Sequence, residues 1–98
     1  MMGDLKFDYA RRRVTVAGAP VKLTRIEYAL LQELSVHPGR TVPHGDLLKS
    51  VWGRQNPDDN RTVHAAVINI RRKLGDSAKS PTHIFNESGV GYRLGAAE

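Results

Sequence analysis

Hydrophobic and polar residues alternate in three short segments at the start of the chain. The alternating hydrophobic positions, taken segment by segment, are Leu5, Phe7 and Tyr9; Val14 and Val16; and Val21 and Leu23. A period of two places these side chains on one face of a strand, and Gly18-Ala19-Pro20 has the composition of a turn between the last two segments. The pattern predicts three short antiparallel strands whose sheet has one apolar face to cover.

In the next segment the spacing of hydrophobic residues changes to that of an amphipathic helix, and a capping sequence marks the start of this helix. Thr24-Arg25-Ile26-Glu27 is a capping-box sequence, in which the Thr24 hydroxyl accepts a hydrogen bond from the Glu27 amide and the Glu27 carboxylate reaches back. Hydrophobic residues then recur at steps of three and four, at Ile26, Leu30, Leu31 and Leu34. The helix is predicted over about residues 24–36, because Pro38 disfavours a helical residue before it.

A second, shorter helical stripe follows. It consists of Leu47, Leu48, Val51 and Trp52. Gly53 stands where helices commonly end in a left-handed residue. The start is weakly marked, since Pro43 suits a first helical turn but no capping side chain precedes the stripe. Residues 53–59 have the composition of a loop, with Asp59 or Asn60 as the cap of a third helix.

The third helical segment has two chemically different faces. Its apolar stripe is Val63, Ala66, Val67, Ile70 and Leu74, and its opposite face is Arg61, Ala65, Ile68 and Arg72, flanked by His64 and Asn69. Residues 60–74 include three arginines and one lysine but no Asp or Glu, and the whole chain carries a formal charge of +5. Concentrated basic charge on one helix face predicts a polyanionic partner, and a solvated face is the alternative. Arg71 lies at the flank, where it can form an internal ion pair, so Arg72 is the stronger candidate.

The end of the chain predicts a β-hairpin, because residues 83–87 and 90–94 flank a Ser88-Gly89 turn. Two short helices joined by a loop, the second with a basic outer face, and then a hairpin are the layout of a winged helix-turn-helix. We therefore predict an α+β fold with an N-terminal antiparallel β-sheet, a three-helix core and a C-terminal β-hairpin wing. Residues 1–98 have the length of a single domain.

The sequence argues against several other functions. It contains no cysteine, which excludes disulfides and thiolate metal sites and fits a cytoplasmic location. No apolar run approaches the roughly 18–20 residues of a membrane span. His37, His44, His64 and His83 lack the spacing of a metal site and are predicted at the surface. No catalytic arrangement emerges either, so we expect no catalytic residues, no metal, no cofactor, no membrane contact and no enzymatic activity.

A resemblance to a known family runs through residues 18–94. The residues that carry it are residues 21–31, Gly39, Leu47-Leu48, Val51-Trp52-Gly53, Arg61-Thr62-Val63, Arg71, Lys73-Leu74 and residues 89–93. In combination they resemble the DNA-binding domains of OmpR/PhoB-type response regulators. The wing, Glu87-Ser88-Gly89-Val90-Gly91, is similar to that of potassium-response (KdpE-like) members.

The resemblance implies a recognition helix over about residues 60–74 and a division of roles among its neighbours. The residues that it places on DNA phosphates are Trp52, Arg61, Thr62 and Tyr92. Trp52 and Tyr92 also end apolar patterns, so a core role is open for both. His64, beside the basic face, is a further candidate for a phosphate contact, and a proton-dependent one.

Base contacts are predicted mainly for Asn69, which sits where family members often read a base, and for Arg72. Ala65 and Ile68 are further candidates, and Ile68 can either touch a thymine methyl or simply add apolar area. Ser88 is the remaining candidate for a base contact, at a wing position where many relatives have an arginine that enters the minor groove. The loop of residues 53–59 matches the family's contact loop for RNA polymerase, with Arg54, Asp58 and Asp59 as its candidates.

The family context also predicts partners. These are duplex DNA with tandem half-sites, RNA polymerase, a receiver domain preceding this chain, and a histidine kinase acting through that receiver. The alternative is a winged-helix protein-interaction module that does not bind DNA. Arg11-Arg12-Arg13, at the turn between the first two strands, is either a solvated turn or a docking surface for a partner domain.

Overall fold

A computed structural model of the protein describes residues 5–37, 39–53, 60–76, 83–87 and 89–95. Within these ranges it has two small sheets and three α-helices, the second of which continues as a π-helical turn. The elements in chain order are β1 (Leu5–Asp8), β2 (Arg13–Val16), β3 (Ala19–Val21), α1 (Arg25–Ser35), β4 (Val42–Pro43), α2 (His44–Leu47), the π-helical turn (Leu48–Trp52), α3 (Asn60–Leu74), β5 (Ile84–Glu87) and β6 (Gly91–Leu94). The predicted α+β winged-helix architecture is confirmed.

The three N-terminal strands form the predicted antiparallel sheet in the order β1-β2-β3. Of the second turn predicted at Gly18-Ala19-Pro20, only Gly18 is correct, because Ala19 and Pro20 belong to β3 and pair with β2. The turn is made instead by Ala17 and Gly18, whose φ angles are 52° and 84°. Two consecutive residues with positive φ match the twist of a two-residue hairpin, which explains this choice.

Helix α1 begins with the predicted capping box. The Thr24 hydroxyl accepts from the Glu27 amide at 3.2 Å, and the Glu27 carboxylate accepts from the Thr24 amide at 2.9 Å. The helix buries Leu30, Leu31 and Leu34 completely. Its position therefore follows from the local sequence, and its inner face supplies the centre of the core.

The second helical stripe starts earlier than its hydrophobic residues suggest. Helix α2 begins at His44, after Pro43, and has no side-chain cap, in keeping with the missing capping residue. Its continuation as a π-helical turn ends at Gly53, whose φ of 71° is left-handed as predicted. Just before α2, Val42 and Pro43 form β4, a strand that the sequence pattern did not predict.

The C-terminal sheet has the order β4-β6-β5, so the predicted hairpin of β5 and β6 is extended by a strand from before α2. The approach of β4 to β6 requires glycine at position 91. A Cβ atom there would lie 2.7 Å from the Val42 carbonyl carbon and 2.8 Å from the Pro43 Cα atom, and it would overlap the Val42 carbonyl oxygen. The sheet thereby ties the hairpin to the start of α2.

One hydrophobic core joins both sheets to the three helices. Its buried members are Leu5, Val14, Tyr28, Leu30, Leu31, Leu34, Val42, Leu47, Leu48, Val63, Val67, Ile70, Leu74, Ile84, Tyr92 and Leu94. All of α3's contribution comes from the predicted apolar stripe, so the opposite face of that helix points outward. Among the described residues, no helix has the length and apolar character needed to cross a membrane.

Candidate nucleic-acid interface

The outer face of α3 is assembled as the sequence pattern predicts. Its exposed residues are Arg61, His64, Ala65, Ile68, Asn69, Arg72 and Lys73. Helical periodicity brings the first six of these to one side, opposite the core stripe. Thr62 is half-buried at the edge of this surface. The helix contains no acidic residue, so its exposed face combines positive charge, an amide and a small apolar patch. We call the first six of these exposed residues, together with Thr62 at their edge, the α3 face.

Adjacent arginines on α3 have opposite environments. Arg72 is exposed, whereas Arg71 is only 6% exposed and donates a hydrogen bond from its Nη2 atom to the Ile84 carbonyl oxygen at 3.0 Å. Arg71 thus has an internal partner, as the flank position allowed, but that partner is a backbone carbonyl rather than the carboxylate of an ion pair. Arg71 connects α3 to β5 and is not part of the α3 face.

Lys73 is also engaged inside the molecule. Its ammonium donates to the Glu27 carboxylate at 2.6 Å, which joins the end of α3 to the start of α1. Burial by itself would raise the pKa of Glu27, but the hydrogen bonds from Lys73 and from the Thr24 amide outweigh it and lower the pKa overall. Of the four cations on α3, Arg61 and Arg72 therefore remain for an external anion.

Tyr92 is buried, and its hydroxyl contacts a residue of the α3 face. It is 2% exposed, and its hydroxyl oxygen lies 3.0 Å from Nδ1 of His64. The ring of His44 meets the Tyr92 ring at 89°, with the centroids 5.4 Å apart. His44 was not among the predicted site residues, because nothing in the sequence brings positions 44 and 92 together before the β4–β6 pairing is known.

Trp52 is half-buried and packs against the core at the end of the π-helical turn. The core role left open for this residue is thus present, and its partial exposure leaves part of the side chain at the surface. Its indole N–H group is a hydrogen-bond donor only, which suits an anion.

The wing is described in part. β5 and β6 pair antiparallel, and the Val90 amide closes the turn by donating to the Glu87 carbonyl at 2.9 Å. Val90 is 51% exposed at the tip. Arg93 is paired with Glu87 at 3.0 Å and stacks over Phe85 at 4.5 Å. Ser88 lies outside the described residues.

Other predicted sites have different outcomes. Arg54, Asp58 and Asp59 of the polymerase-contact loop also lie outside the described residues.

The surface position predicted for His83 was wrong, because this residue is 7% exposed. Burial follows from its place at the entry to β5, where the His83 carbonyl accepts from the Gly95 amide.

The arginines at the first sheet turn lie on a different element from the α3 face. Arg11, Arg12 and Arg13 are exposed, and Arg12 stacks over the Tyr28 ring at 4.7 Å. Among the described residues, no cluster of three or more His, Asp or Glu side chains suits a metal ion. The α3 face differs from the first sheet turn because it combines exposed cations with an amide and an apolar patch on one helix, which suits a polyanion whose sequence is read.

A known family matches most of the chain. The profile of the family described as "Transcriptional regulatory protein, C terminal" matches residues 18–94. The chain is 38% identical over 89 residues to the transcriptional regulatory protein KdpE of Mycobacterium tuberculosis, and 41% identical over 92 residues to AfsQ1 of Streptomyces coelicolor. These alignments cover 91% and 94% of this chain but only 39% and 41% of the relatives. The chain thus spans about two-fifths of their length.

Solved structures show the same fold. The RstA DNA-binding domain of Klebsiella pneumoniae, crystallised in complex with the RstA box, superposes with a TM-score of 0.90 at 30% identity, covering 97% of this chain and 94% of that one. DrrB, an OmpR/PhoB homologue of Thermotoga maritima, gives a TM-score of 0.83 at 30% identity, covering 96% of this chain and 42% of that one. The chain therefore belongs to the family of C-terminal domains of transcriptional regulatory proteins, as a winged-helix domain of the OmpR/PhoB type.

Proposed function

We propose that this domain binds duplex DNA sequence-specifically and regulates transcription as the effector domain of a two-component response regulator. The observation that carries the proposal is the α3 face, where Arg61, Asn69 and Arg72 are exposed on a helix whose other side is core. An α-helix fits the major groove of B-DNA, so such a face can reach base edges and both flanking backbones. The RstA complex with its box supports this mode of action.

The residues divide by chemistry. Arg61, Thr62 at the edge of the face and the half-buried Trp52 on the π-helical turn suit phosphates, which fix register without reading sequence. Asn69 and Arg72 suit base edges, since Asn pairs bidentately with adenine and Arg with guanine.

The apolar part of the face has its own role. Ile68 is 41% exposed and Ala65 lies one turn before it. An exposed branched side chain on this surface suits a thymine methyl group. Contact of the Ser88 wing position with the minor groove stays a prediction.

Further partners belong to the whole protein. We propose a receiver domain in the same protein, a histidine kinase acting through it, tandem DNA half-sites, and contact of the loop containing Arg54, Asp58 and Asp59 with RNA polymerase. The relatives include the DNA-binding response regulator MtrA, which supports the signalling context. We also propose a cytoplasmic location, because the domain must reach DNA there. We propose no catalytic activity for it.

The test is selection of bound sequences from a pool of random duplexes, with affinities for the enriched site and for an unrelated duplex measured across a salt series. Arg61→Ala should weaken binding to both duplexes alike and reduce the slope of log affinity against log salt by about 1. Asn69→Ala should weaken the enriched site by roughly 1 to 3 kcal/mol and leave the unrelated duplex nearly unchanged. Arg11→Ala, which removes an equal charge from an exposed position on the first sheet turn, is the matched control.

The outcomes separate the alternatives. Enrichment of one motif together with these two patterns supports base-specific recognition. Salt-sensitive binding without enrichment would leave only a basic surface. Absence of binding at low salt would favour the protein-interaction module.

A further inference from the structure

The contact between Tyr92 and His64 joins the wing to the recognition helix. Tyr92 lies in β6 and is 2% exposed, whereas His64 lies on α3 and is exposed. Their hydroxyl oxygen and Nδ1 atoms are 3.0 Å apart, a hydrogen-bonding distance. The His44 ring also packs edge-to-face against the Tyr92 ring.

The chemistry of the pair selects one direction for this bond. Tyr92 is buried, and among the described residues its hydroxyl has no hydrogen-bond partner other than His64, so a hydroxyl that accepted from His64 would leave its own proton buried and unbonded. Burial also raises the pKa of this hydroxyl, against a lowering effect of Arg71. When Nδ1 of a neutral imidazole accepts a hydrogen bond, the ring proton resides on Nε2. Since His64 is exposed, the Nε2–H group is left for a partner outside the molecule.

We propose that Tyr92 is a positioning residue that holds His64 as the Nε2–H tautomer, so that His64 and not Tyr92 donates to a DNA phosphate. The inference rests on the proposed binding of duplex DNA and revises the expectation that both side chains touch the backbone. A tyrosine hydroxyl has one proton, so Tyr92 cannot donate to a phosphate while it donates to His64.

The direction of the bond decides what the surface offers to an anion. With Tyr92 as donor, His64 presents a hydrogen-bond donor beside Arg61, one turn away on the same face. The reversed arrangement would place the Nε2 lone pair toward the phosphate oxygens and repel them. A rigid ring held by a buried hydroxyl also loses less side-chain entropy on binding than a free one.

The experiment compares affinities for a short random-sequence duplex at low salt and about pH 8, above the ordinary imidazole pKa of about 6.5. His64→Ala should weaken binding about 10-fold, the size of a hydrogen bond to a charged group. Tyr92→Phe, which keeps the buried ring, should weaken binding several-fold. His64→Gln keeps a donor near the position of Nε2 and should retain most of the affinity.

The decisive comparison is Tyr92→Phe in the His64→Gln background, where it should have no further effect because a glutamine amide needs no tautomer. In parallel, nitrogen chemical shifts of the His64 ring in the free domain should show a protonated Nε2 and an unprotonated Nδ1. In Tyr92→Phe they should move toward the average of two exchanging tautomers. This spectroscopic change is one that a merely structural role of Tyr92 would not produce.

Three results overturn the proposal. The first is an equal loss of DNA affinity from Tyr92→Phe in the wild-type background and in the His64→Gln background. The second is a protonated Nδ1 on His64 in the free domain. The third is unchanged affinity in His64→Ala while the wild-type domain binds DNA. Failure of the wild-type domain to bind any duplex at low salt is a different result, since it defeats the proposed function itself and the inference with it.

Discussion

Arg71 and Arg72 allow the roles of two neighbouring arginines to be separated by one pair of substitutions. Arg71 is 6% exposed and donates to the Ile84 carbonyl, whereas Arg72 is exposed on the α3 face. Replacing each with alanine removes the same charge and keeps a good helix former in α3. Arg71→Ala should therefore destabilise the fold, and Arg72→Ala should weaken DNA binding.

The expected loss in the free energy of unfolding of Arg71→Ala follows from the groups that the substitution leaves unpaired or removes. An unsatisfied buried carbonyl at Ile84 costs about 2 kcal/mol, and loss of the packed side-chain stem adds about 1 kcal/mol. The Nε atom of Arg71 is buried without a partner among the described residues, which limits the stability that the native guanidinium provides. A total near 3 kcal/mol corresponds to a fall of roughly 15 °C in Tm for a domain of this size.

The assay is thermal unfolding of both variants beside the wild-type domain, followed by DNA binding well below each Tm. Arg72→Ala should stay within about 0.5 kcal/mol of wild type in stability, as exposed substitutions do. At a temperature where both are folded, it should bind DNA more weakly than Arg71→Ala. An Arg71→Ala variant with nearly wild-type Tm, or an Arg72→Ala variant that loses as much Tm as Arg71→Ala, would refute this division.

Two further predictions concern the α1–α3 ion pair and the β4–β6 contact. Because the pKa of Glu27 is lowered in the folded protein, its ionised form contributes stability that is present above its ordinary value of 4.5 and is lost as the pH falls through the folded value. Lys73→Met should raise the Glu27 pKa in an NMR titration and shrink the stability lost on acidification, because that loss scales with the gap between the folded and the ordinary pKa; an unmoved pKa would contradict the pairing. Gly91→Ala should cost more than about 2 kcal/mol in urea unfolding, because β4 must move away. Gly45→Ala, which meets open space in α2, should instead stabilise by up to about 1 kcal/mol, and equal effects of the two would argue against the close approach.

Local sequence determined the elements whose signals are carried by neighbouring residues. The capping box at Thr24 sets the start of α1, and the left-handed Gly53 ends the π-helical turn. The apolar stripe of α3 decides which of its sides is core, so the exposure of Asn69 and Arg72 could be predicted from periodicity alone. Most of the candidate site could be predicted from the sequence for the same reason, because most of its residues lie on one helix.

Only the tertiary structure decided which polar side chains have partners far along the chain. Tyr92 and His64 are 28 residues apart, and Lys73 reaches Glu27 across 46. β4 has two residues, too few to show a period, and exists because Gly91 allows β6 to approach it. A helical pattern gives the direction of a side chain, but the availability of its charge depends on what packs beside it. Arg71 and Arg72 are thus adjacent in sequence and opposite in role.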